Sequence, residues 1–153
     1  MPIRTQIDDL SSPASQALVA EHLAGMHGNS PSECVNALAI NGLRQPEITF
    51  WTAWQGESLC GCGALKELNA DAGEIKSMRT RSAYVRQGVG QAVLSEIMAT
   101  ARERGYRHLY LETGTGEPFA AAHALYAKNG FEWCGVFGDY QATAFNVFMV
   151  KAL

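Results

Sequence analysis

The sequence has few of the residues that would mark a secreted, membrane-spanning or nucleic-acid-binding protein. Its 153 residues include four cysteines, none of them in a Cys-x-x-Cys pair, and residues 1–9 contain no apolar segment of the kind a secretory signal needs. No apolar run approaches the roughly 20 residues that span a bilayer. A formal net charge of -3 provides no general attraction for nucleic acid or an anionic membrane. We therefore expect a cytoplasmic protein with neither nucleic acid nor membrane as a partner.

Two of the cysteines raise the question of a metal site. Cys60 and Cys62 lie two positions apart in a predicted strand, and such residues are expected to share one face of the sheet. Together with a histidine they could bind zinc, but buried, reduced thiols are the commoner arrangement and fit a reducing compartment. We expect no metal.

The composition is that of a folded domain. Hydrophobic residues make up 47% of the chain and charged residues 18%, which suffices for a core at this length. No repeat, low-complexity tract or linker interrupts the sequence. We expect a single domain over residues 1–153.

Hydrophobic periodicity, helix caps and turn residues predict the order β-α-α-β-β-β-α-β-α-β-β. The predicted strands are residues 3–9, 48–54, 59–68, 74–80, 108–112, 131–136 and 146–150. The predicted helices are residues 13–25, 31 to about 38 or 41, 89–104 and 119–128. Tight turns join the three central strands into an antiparallel meander, and residues 74–112 form a β-α-β unit with a parallel strand pair. The class is α/β (α+β), with a mixed sheet of about six to seven strands and about four helices.

Residues 84–92 (YVRQGVGQA) lie between a strand and the start of a well-patterned helix. Helix N-termini have unpaired amides and a partial positive charge, and glycines allow a ligand to approach the backbone. A pyrophosphate is the natural ligand of such a loop, and Arg86 adds charge beside it. The alternative is that Gly88 and Gly90 only form a tight turn, and the loop by itself leaves both interpretations open.

A dinucleotide-binding fingerprint is less compatible with this segment. Gly88 and Gly90 supply G-x-G, and Glu112 lies near the distance expected for a ribose-binding acid. However, Val93 occupies the third glycine position and there is only one β-α-β unit.

Two segments together resemble the GNAT superfamily of N-acetyltransferases. Residues 85–90 (VRQGVG) are similar to its motif A, Arg/Gln-x-x-Gly-x-Gly/Ala, with Val85 in place of the first residue and Arg86 beside it. Residues 125–131 (LYAKNGF) are similar to the family's Leu-Tyr-x-x-x-Gly-Phe. The resemblance covers nearly the whole chain and implies the GNAT fold, in which the sheet splays between its fourth and fifth strands.

Further segments look like a subgroup of small bacterial GNAT proteins whose acceptor is unassigned. They are residues 48–51, 62–68, 73–80 and 111–114. That subgroup tends to have Asp-Pro-Asn-Ser before its final strand, whereas residues 142–146 here read ATAFN.

The resemblance implies acetyl-CoA as co-substrate and a set of coenzyme-binding residues. Pantetheine would lie in the gap between the splayed strands, and backbone amides would hold the pyrophosphate. Phe119 stands where the family often has an asparagine for the pantetheine arm. The implied coenzyme residues are Met78, Arg79, Thr80, Arg86, Gln87, Gly88, Val89, Gly90, Gln91 and Phe119.

The implied chemistry is direct attack of an amine on the thioester, with two candidate catalytic residues. Glu74 occupies the position of a general base found in some GNAT enzymes; the alternative is an ordinary carboxylate at a strand end. Tyr126 matches the tyrosine that protonates the leaving thiolate; the alternative is a half-buried aromatic residue. A backbone amide near Met78 could polarise the thioester carbonyl.

Acceptor recognition is expected to use the N-terminal helices and the end of the sheet. The candidate residues are His22, His27, Glu33, Arg44, Asp139 and Tyr140, although each of them also fits an ordinary surface position. Arg79 could bind an acceptor carboxylate or form an ion pair, and the sequence leaves this open. Trp51 and Trp54 are interpreted as packing residues.

The sequence therefore predicts an acetyl-CoA-dependent acyltransferase acting on a primary amine, as implied by the resemblance, with a small molecule as acceptor. Two alternatives are a protein or peptide N-acetyltransferase and a non-catalytic acyl-CoA-binding module. Family resemblance also suggests a homodimer.

Overall fold

The computed structural model describes residues 2–27, 41–138 and 140–153, with the side chains of residues 22–27 outside that description. The strands are β1 (Arg4–Ile7), β2 (Ile48–Gln55), β3 (Ser58–Asn69), β4 (Ala72–Thr80), β5 (His108–Gly114), β6 (Glu132–Cys134) and β7 (Asn146–Ala152). The helices are α1 (Pro13–His27), α2 (Val89–Glu103) and α3 (Ala120–Lys128), with 3-10 turns at Ser82–Tyr84 and Glu117–Phe119 and a helical turn at residues 41–43. The predicted helix at residues 31–38 lies outside the described residues.

The seven strands form one mixed sheet in the order β1-β2-β3-β4-β5-β7-β6. β1 to β4 are antiparallel neighbours, and β4 and β5 are the parallel pair that the β-α-β unit predicted. The order of elements and the fold class are therefore confirmed for the described residues. No helix among them has both the length and the apolar composition required to cross a bilayer.

The parallel pair separates partway along its length. Its pairing begins at Ala72 and His108 and ends at Ile75 and Leu111, whereas β4 continues to Thr80 and β5 to Gly114. The expected splay between the fourth and fifth strands is confirmed. Beyond Ile75, no described strand pairs with the backbone of β4 on its β5 side.

Two apolar clusters cover the two faces of the sheet, because successive strand residues point to opposite sides. In β2, Phe50 belongs to one cluster and Trp51 to the other. We call the cluster beneath α2 and α3 the central core; its members include Trp51, Ile75, Val93, Ile97, Leu109, Leu111 and Tyr126. We call the other the α1 core; it contains Leu10, Leu18, Val19, Leu43, Phe50, Leu59, Cys62 and Ala64.

The prediction that Cys60 and Cys62 share one face is wrong. A register shift between Ala53 and Trp54 of β2 makes Cys60 an extra residue in β3, and this bulge interrupts the alternation of side chains. Cys60 accordingly lies in the central core and Cys62 in the α1 core. Burial raises the pKa of the Cys62 thiol to about 12, so it is a protonated apolar side chain. Among the described residues, no group of three or more metal-ligating side chains comes together.

Gly61 allows α2 to lie close to the sheet. A Cβ added there would be 2.5 Å from the carbonyl oxygen of Arg79 and 2.7 Å from Cγ1 of Val89. The neighbouring backbone would have to move to accept any side chain at this position. The first turn of α2 is thus positioned by a glycine on β3 that the sequence analysis did not identify.

We predict that Gly61→Ala destabilises the fold by about 1–3 kcal/mol, the usual cost of overpacking a close-packed interface. The measurement is urea unfolding followed by circular dichroism. Gly135→Ala is the control, because a Cβ at Gly135 meets no atom within 4 Å. Equal unfolding free energies for the two variants would contradict the close approach of α2.

Candidate active site

The glycine loop before α2 has the geometry of an anion site. Gly88 is the residue before the helix, in the left-handed conformation with φ of 85°, and Arg86 also has a positive φ of 64°. The first hydrogen bond of the helix runs from the Ala92 amide to the Gly88 carbonyl, at 3.0 Å. The amides of Val89, Gly90 and Gln91 precede it and donate to no other described residue.

The surroundings of the loop are open and positively charged. A Cβ at Gly88 would have no atom within 4 Å, so a ligand can approach the backbone directly. Arg86 is exposed and has no ion-pair partner among the described residues. The Gln87 side chain donates to the Ala83 carbonyl at 3.3 Å and accepts from Gln55 at 3.1 Å, so it braces the loop from outside.

A pair of side-chain amides joins the two sequence motifs. Gln91 donates to Oδ1 of Asn129 at 2.9 Å, and Asn129 donates to Oε1 of Gln91 at 2.8 Å. Asn129 also donates to the carbonyl of Leu125 at 2.8 Å. A Cβ on Gly90 would be 3.1 Å from the Leu125 side chain, so only a very small residue fits between α2 and α3. Sequence reasoning placed Gln91 at the coenzyme by its backbone and missed this side-chain pair.

The second half of β4 lines the gap between the splayed strands. Ser77 has a positive φ of 57°, and the β3–β4 register shifts between Cys62 and Ala64. After this bulge, Met78 packs towards α2 against Gly63, whereas Arg79 lies opposite Cys62 on the α1 face. The backbone of Met78, Arg79 and Thr80 faces the gap without a β5 partner.

Phe119 lies on the other side of this gap. Its side chain is 40% exposed, and its ring covers Gly114, where any Cβ would overlap it. The ring therefore presents an apolar surface at the end of β5.

Glu74 lies in an unusual environment for a strand carboxylate. It is 3% exposed, and the Tyr140 hydroxyl donates to its Oε2 at 2.5 Å. Lys76 Nζ lies 3.6 Å from the same oxygen and 3.3 Å from the Tyr140 hydroxyl. Burial, and then the Glu74 carboxylate, raise the pKa of Tyr140 above its ordinary value, so Tyr140 stays a hydrogen-bond donor. Lys76 is a member of this group that sequence reasoning missed.

Aromatic rings surround this group on the face of the sheet opposite α2. The centroids of Phe137 and Tyr140 lie 5.2 Å apart, and those of Tyr140 and Phe148 lie 5.8 Å apart. Tyr110, which pairs with Glu74 across the parallel ladder, lies 4.9 Å from Phe137. Glu74 is thus a buried carboxylate in a largely apolar pocket.

Tyr126 lies in the central core rather than half-buried at the surface. It is 6% exposed, and its ring meets Phe131 edge-on with centroids 5.7 Å apart. Burial raises the pKa of its phenol to about 12, which keeps the proton on the oxygen near neutral pH. Glu74 and Tyr126 therefore lie on opposite faces of the sheet. The gap that opens between β4 and β5 after Ile75 connects these two faces.

The acceptor candidates divide into three groups. Arg44 donates to the carbonyls of Asp9 at 3.1 Å and Leu10 at 2.7 Å, so its guanidinium anchors the turn before α1. Tyr140 is part of the Glu74 group, as described above. His22 and His27 by their side chains, and Glu33 and Asp139 entirely, lie outside the described residues.

The two tryptophans are packing residues, as predicted. Trp51 is 2% exposed and belongs to the central core. Trp54 packs against the α1 core and donates to Thr52 at 2.8 Å.

Comparison with known proteins identifies the family. Residues 15–131 match the sequence model of the Acetyltransferase (GNAT) family. The chain is 49% identical to the uncharacterized N-acetyltransferase YsnE of Bacillus subtilis over 148 residues, which are 97% of this chain and 98% of that protein.

Solved structures share the fold. A Klebsiella pneumoniae protein provisionally assigned as an acyl-CoA N-acyltransferase superimposes with a TM-score of 0.81 at 26% identity, covering 99% of this chain and 97% of that chain. A GNAT family acetyltransferase of Elizabethkingia anophelis, crystallised with acetyl-CoA bound, gives a TM-score of 0.70 at 17% identity, covering 99% and 98%. The match over most of the chain, together with the glycine loop and the splayed sheet, establishes that this chain belongs to the GNAT family of acetyltransferases.

Proposed function

We propose that the protein transfers the acetyl group of acetyl-CoA to a primary amine of a small molecule by direct attack on the thioester. The observation that carries the proposal is the row of undonated amides at Val89, Gly90 and Gln91, which opens beside the gap in the sheet. Backbone amides at a helix N-terminus bind phosphate groups, and the exposed backbone of β4 can bind pantetheine as an added strand.

Three features of the chain support acetyl-CoA as its ligand. Gly88 leaves open space over the amides, Arg86 places a cation without a described ion-pair partner next to them, and Phe119 supplies an apolar surface across the gap. The acetyl-CoA bound to the Elizabethkingia anophelis protein supports the same ligand here. The coenzyme supplies the activated acetyl group, and the chain supplies binding, orientation and proton transfer.

In this proposal two residues move protons. Glu74 takes a proton from the attacking amine, and Tyr126 gives one to the sulfur of the departing coenzyme. The burial of both side chains supports these roles, because a buried carboxylate and a buried phenol strengthen hydrogen bonds to the reacting groups. The amide of Met78 is proposed to polarise the thioester carbonyl.

We predict that Gly88→Ala weakens CoA binding by about tenfold or more, because its methyl group would stand between the ligand and the amides. Gly105→Ala is a matched control: Gly105 has φ of 83°, close to the 85° of Gly88, and a Cβ meets nothing within 4 Å at either position. Both substitutions impose similar strain, about 1 kcal/mol, but Gly105 lies beyond the far end of α2, a helix roughly 22 Å long. Isothermal titration calorimetry with CoA separates the two, and an equal affinity in both variants would refute the loop as the pyrophosphate site.

The alternatives are distinguished by one assay. Thiol release from acetyl-CoA is measured with a panel of amino acids, polyamines and peptides, alongside CoA binding. Release with small amines supports the proposal, release with peptides alone favours a peptide acetyltransferase, and CoA binding without release favours a binding module. A cytoplasmic location, a single domain and a homodimer stay predictions.

A further inference from the structure

Arg79 is a cation without a counter-ion in the described part of the chain. Its Nε is buried and has no hydrogen-bond partner among the described residues, and none of their carboxylates lies within 4.0 Å of its guanidinium. Arg81, two residues further, forms an ion pair with Glu21 at 2.9 Å. Burying an N–H of a charged group without a hydrogen-bond acceptor raises the free energy of the fold. A buried Nε without an acceptor therefore calls for an explanation, such as a ligand that supplies one.

Two carboxylates on the Arg79 face of the sheet, those of Asp8 and Glu74, are hydrogen-bonded to other residues. The carboxylate of Asp8, on the same face, accepts hydrogen bonds from Ser15 at 2.9 Å, Thr52 at 3.0 Å and the Leu10 amide at 2.8 Å. Glu74 is shared between Tyr140 and Lys76, as described above. Lys76 therefore already has its counter-ion, whereas Arg79 has none among the described residues.

The bulge in β4 places Arg79 on the same face of the sheet as Glu74. Without the extra residue, positions 74 and 79 would point to opposite faces, because five steps along a strand reverse the side chain. With the bulge at Ser77, Arg79 lies on the same face as Glu74. In the register with β3, Arg79 lies opposite Cys62 and Glu74 lies opposite Lys66. The two β3 positions are four residues, or about 13 Å, apart.

We infer that the acceptor is a small amine that also carries a carboxylate, that is, a free amino acid, and that Arg79 binds this carboxylate. The inference rests on the proposed acetyl transfer. A guanidinium holds a carboxylate through two parallel hydrogen bonds, which would fix the orientation of the amine towards the thioester and Glu74. The Arg79 side chain thus determines specificity, whereas its backbone was predicted to bind the coenzyme.

The reaction balances with the residues on hand. The nitrogen of the neutral amine attacks the thioester carbon, the new C–N bond forms, and the C–S bond breaks. The proton released from nitrogen goes to Glu74, and the thiolate takes a proton from Tyr126. The products are an N-acetylamino acid and CoA with a free thiol.

The test compares amino acids with their carboxamides, which keep the amine and lose the charge. Initial rates of thiol release from acetyl-CoA are measured for matched pairs. We expect wild-type protein to prefer the acids in kcat/KM by tenfold or more, mainly through a lower KM, since a hydrogen bond to a charged group contributes about tenfold to hundredfold in affinity. In Arg79→Gln the ratio of acid to amide should fall to about one.

Two further variants keep the test decisive. Arg79→Lys keeps the charge but loses the planar guanidinium that makes two parallel hydrogen bonds. We therefore expect a ratio of acid to amide in kcat/KM between those of wild type and Arg79→Gln. Arg81→Gln removes a nearby guanidinium that already has a partner, and it should keep the wild-type ratio. Circular dichroism checks that each variant is folded. If Arg79→Gln is not folded, Arg79→Lys tests the inference in its place.

The outcomes distinguish this inference from the proposed function. If no amine, acid or amide, releases CoA, acetyl transfer to small amines is wrong; calorimetric titration of amino acids into CoA-saturated protein then still tests Arg79 by binding alone. Equal use or equal binding of acids and amides by wild type overturns the inference. A preference for acids that survives in Arg79→Gln overturns it as well.

Discussion

Replacing Tyr126 by phenylalanine is expected to lower kcat for acetyl transfer by about 10²-fold or more, with the CoA dissociation constant changed by no more than about twofold. Tyr126 contributes a proton that is needed only as the C–S bond breaks, so its loss raises the barrier without removing a ground-state contact. The measurements are kcat from thiol release and calorimetric binding of CoA.

The pKa of Tyr126 adds a condition to this prediction. Because burial raises it to about 12, the phenol keeps its proton, and ionisation of Tyr126 should cause no fall in wild-type kcat between about pH 7 and pH 9. Tyr106→Phe is the control, since Tyr106 is a buried phenol that donates to Glu67 at 2.7 Å. Unchanged kcat in Tyr126→Phe would remove this residue from the mechanism.

The Glu74→Gln variant should lose about 10²-fold to 10³-fold in kcat/KM for the acceptor, with little change in CoA affinity. The amide keeps the size of the side chain and can still accept from Tyr140, but it cannot take a proton from the amine. The residual rate should rise with pH, because the fraction of neutral amine then depends on solvent alone. The measurement is kcat/KM against pH for wild type and variant.

Glu67→Gln is the matched control for this substitution. Glu67 is also a strand carboxylate that accepts from a tyrosine, Tyr106, but it pairs with Gly73 and so lies on the opposite face of the sheet from Glu74. Both variants weaken a hydrogen bond between a carboxylate and a phenol, so both can lose stability. Only Glu74→Gln should lose activity. Wild-type kcat/KM in Glu74→Gln would reduce Glu74 to a structural carboxylate.

Much of the fold could be predicted because its determinants are local. Caps, turn residues and alternating apolar positions lie within a few residues of one another, so they indicate strands and helices directly from sequence. The glycine loop was recognised for the same reason, since Gly88 and the start of α2 are neighbours in the chain. Predicted strand ends differed from the observed ones by at most two residues, because pairing with neighbouring strands sets the boundary.

The faces of the cysteines could not be predicted in this way. Strict alternation placed Cys60 and Cys62 together, but the bulge opposite β2 separated them into two cores. A bulge depends on how two strands align, and that alignment is a property of the sheet. The bulge at Ser77, which turns Arg79 towards the face of Glu74, was missed for the same reason.

The sequence by itself determined the order of elements, the glycine loop at the start of α2 and the identity of the candidate acid and base, because these depend on neighbouring residues and on two short motifs. Only the tertiary structure decided what surrounds them. It joined Tyr140 to Glu74 across 66 positions and Gln91 to Asn129 across 38, and it left the buried Nε of Arg79 without a described partner. Such contacts arise from packing between distant segments, and hydrogen bonds between distant side chains form wherever burial removes water from both partners.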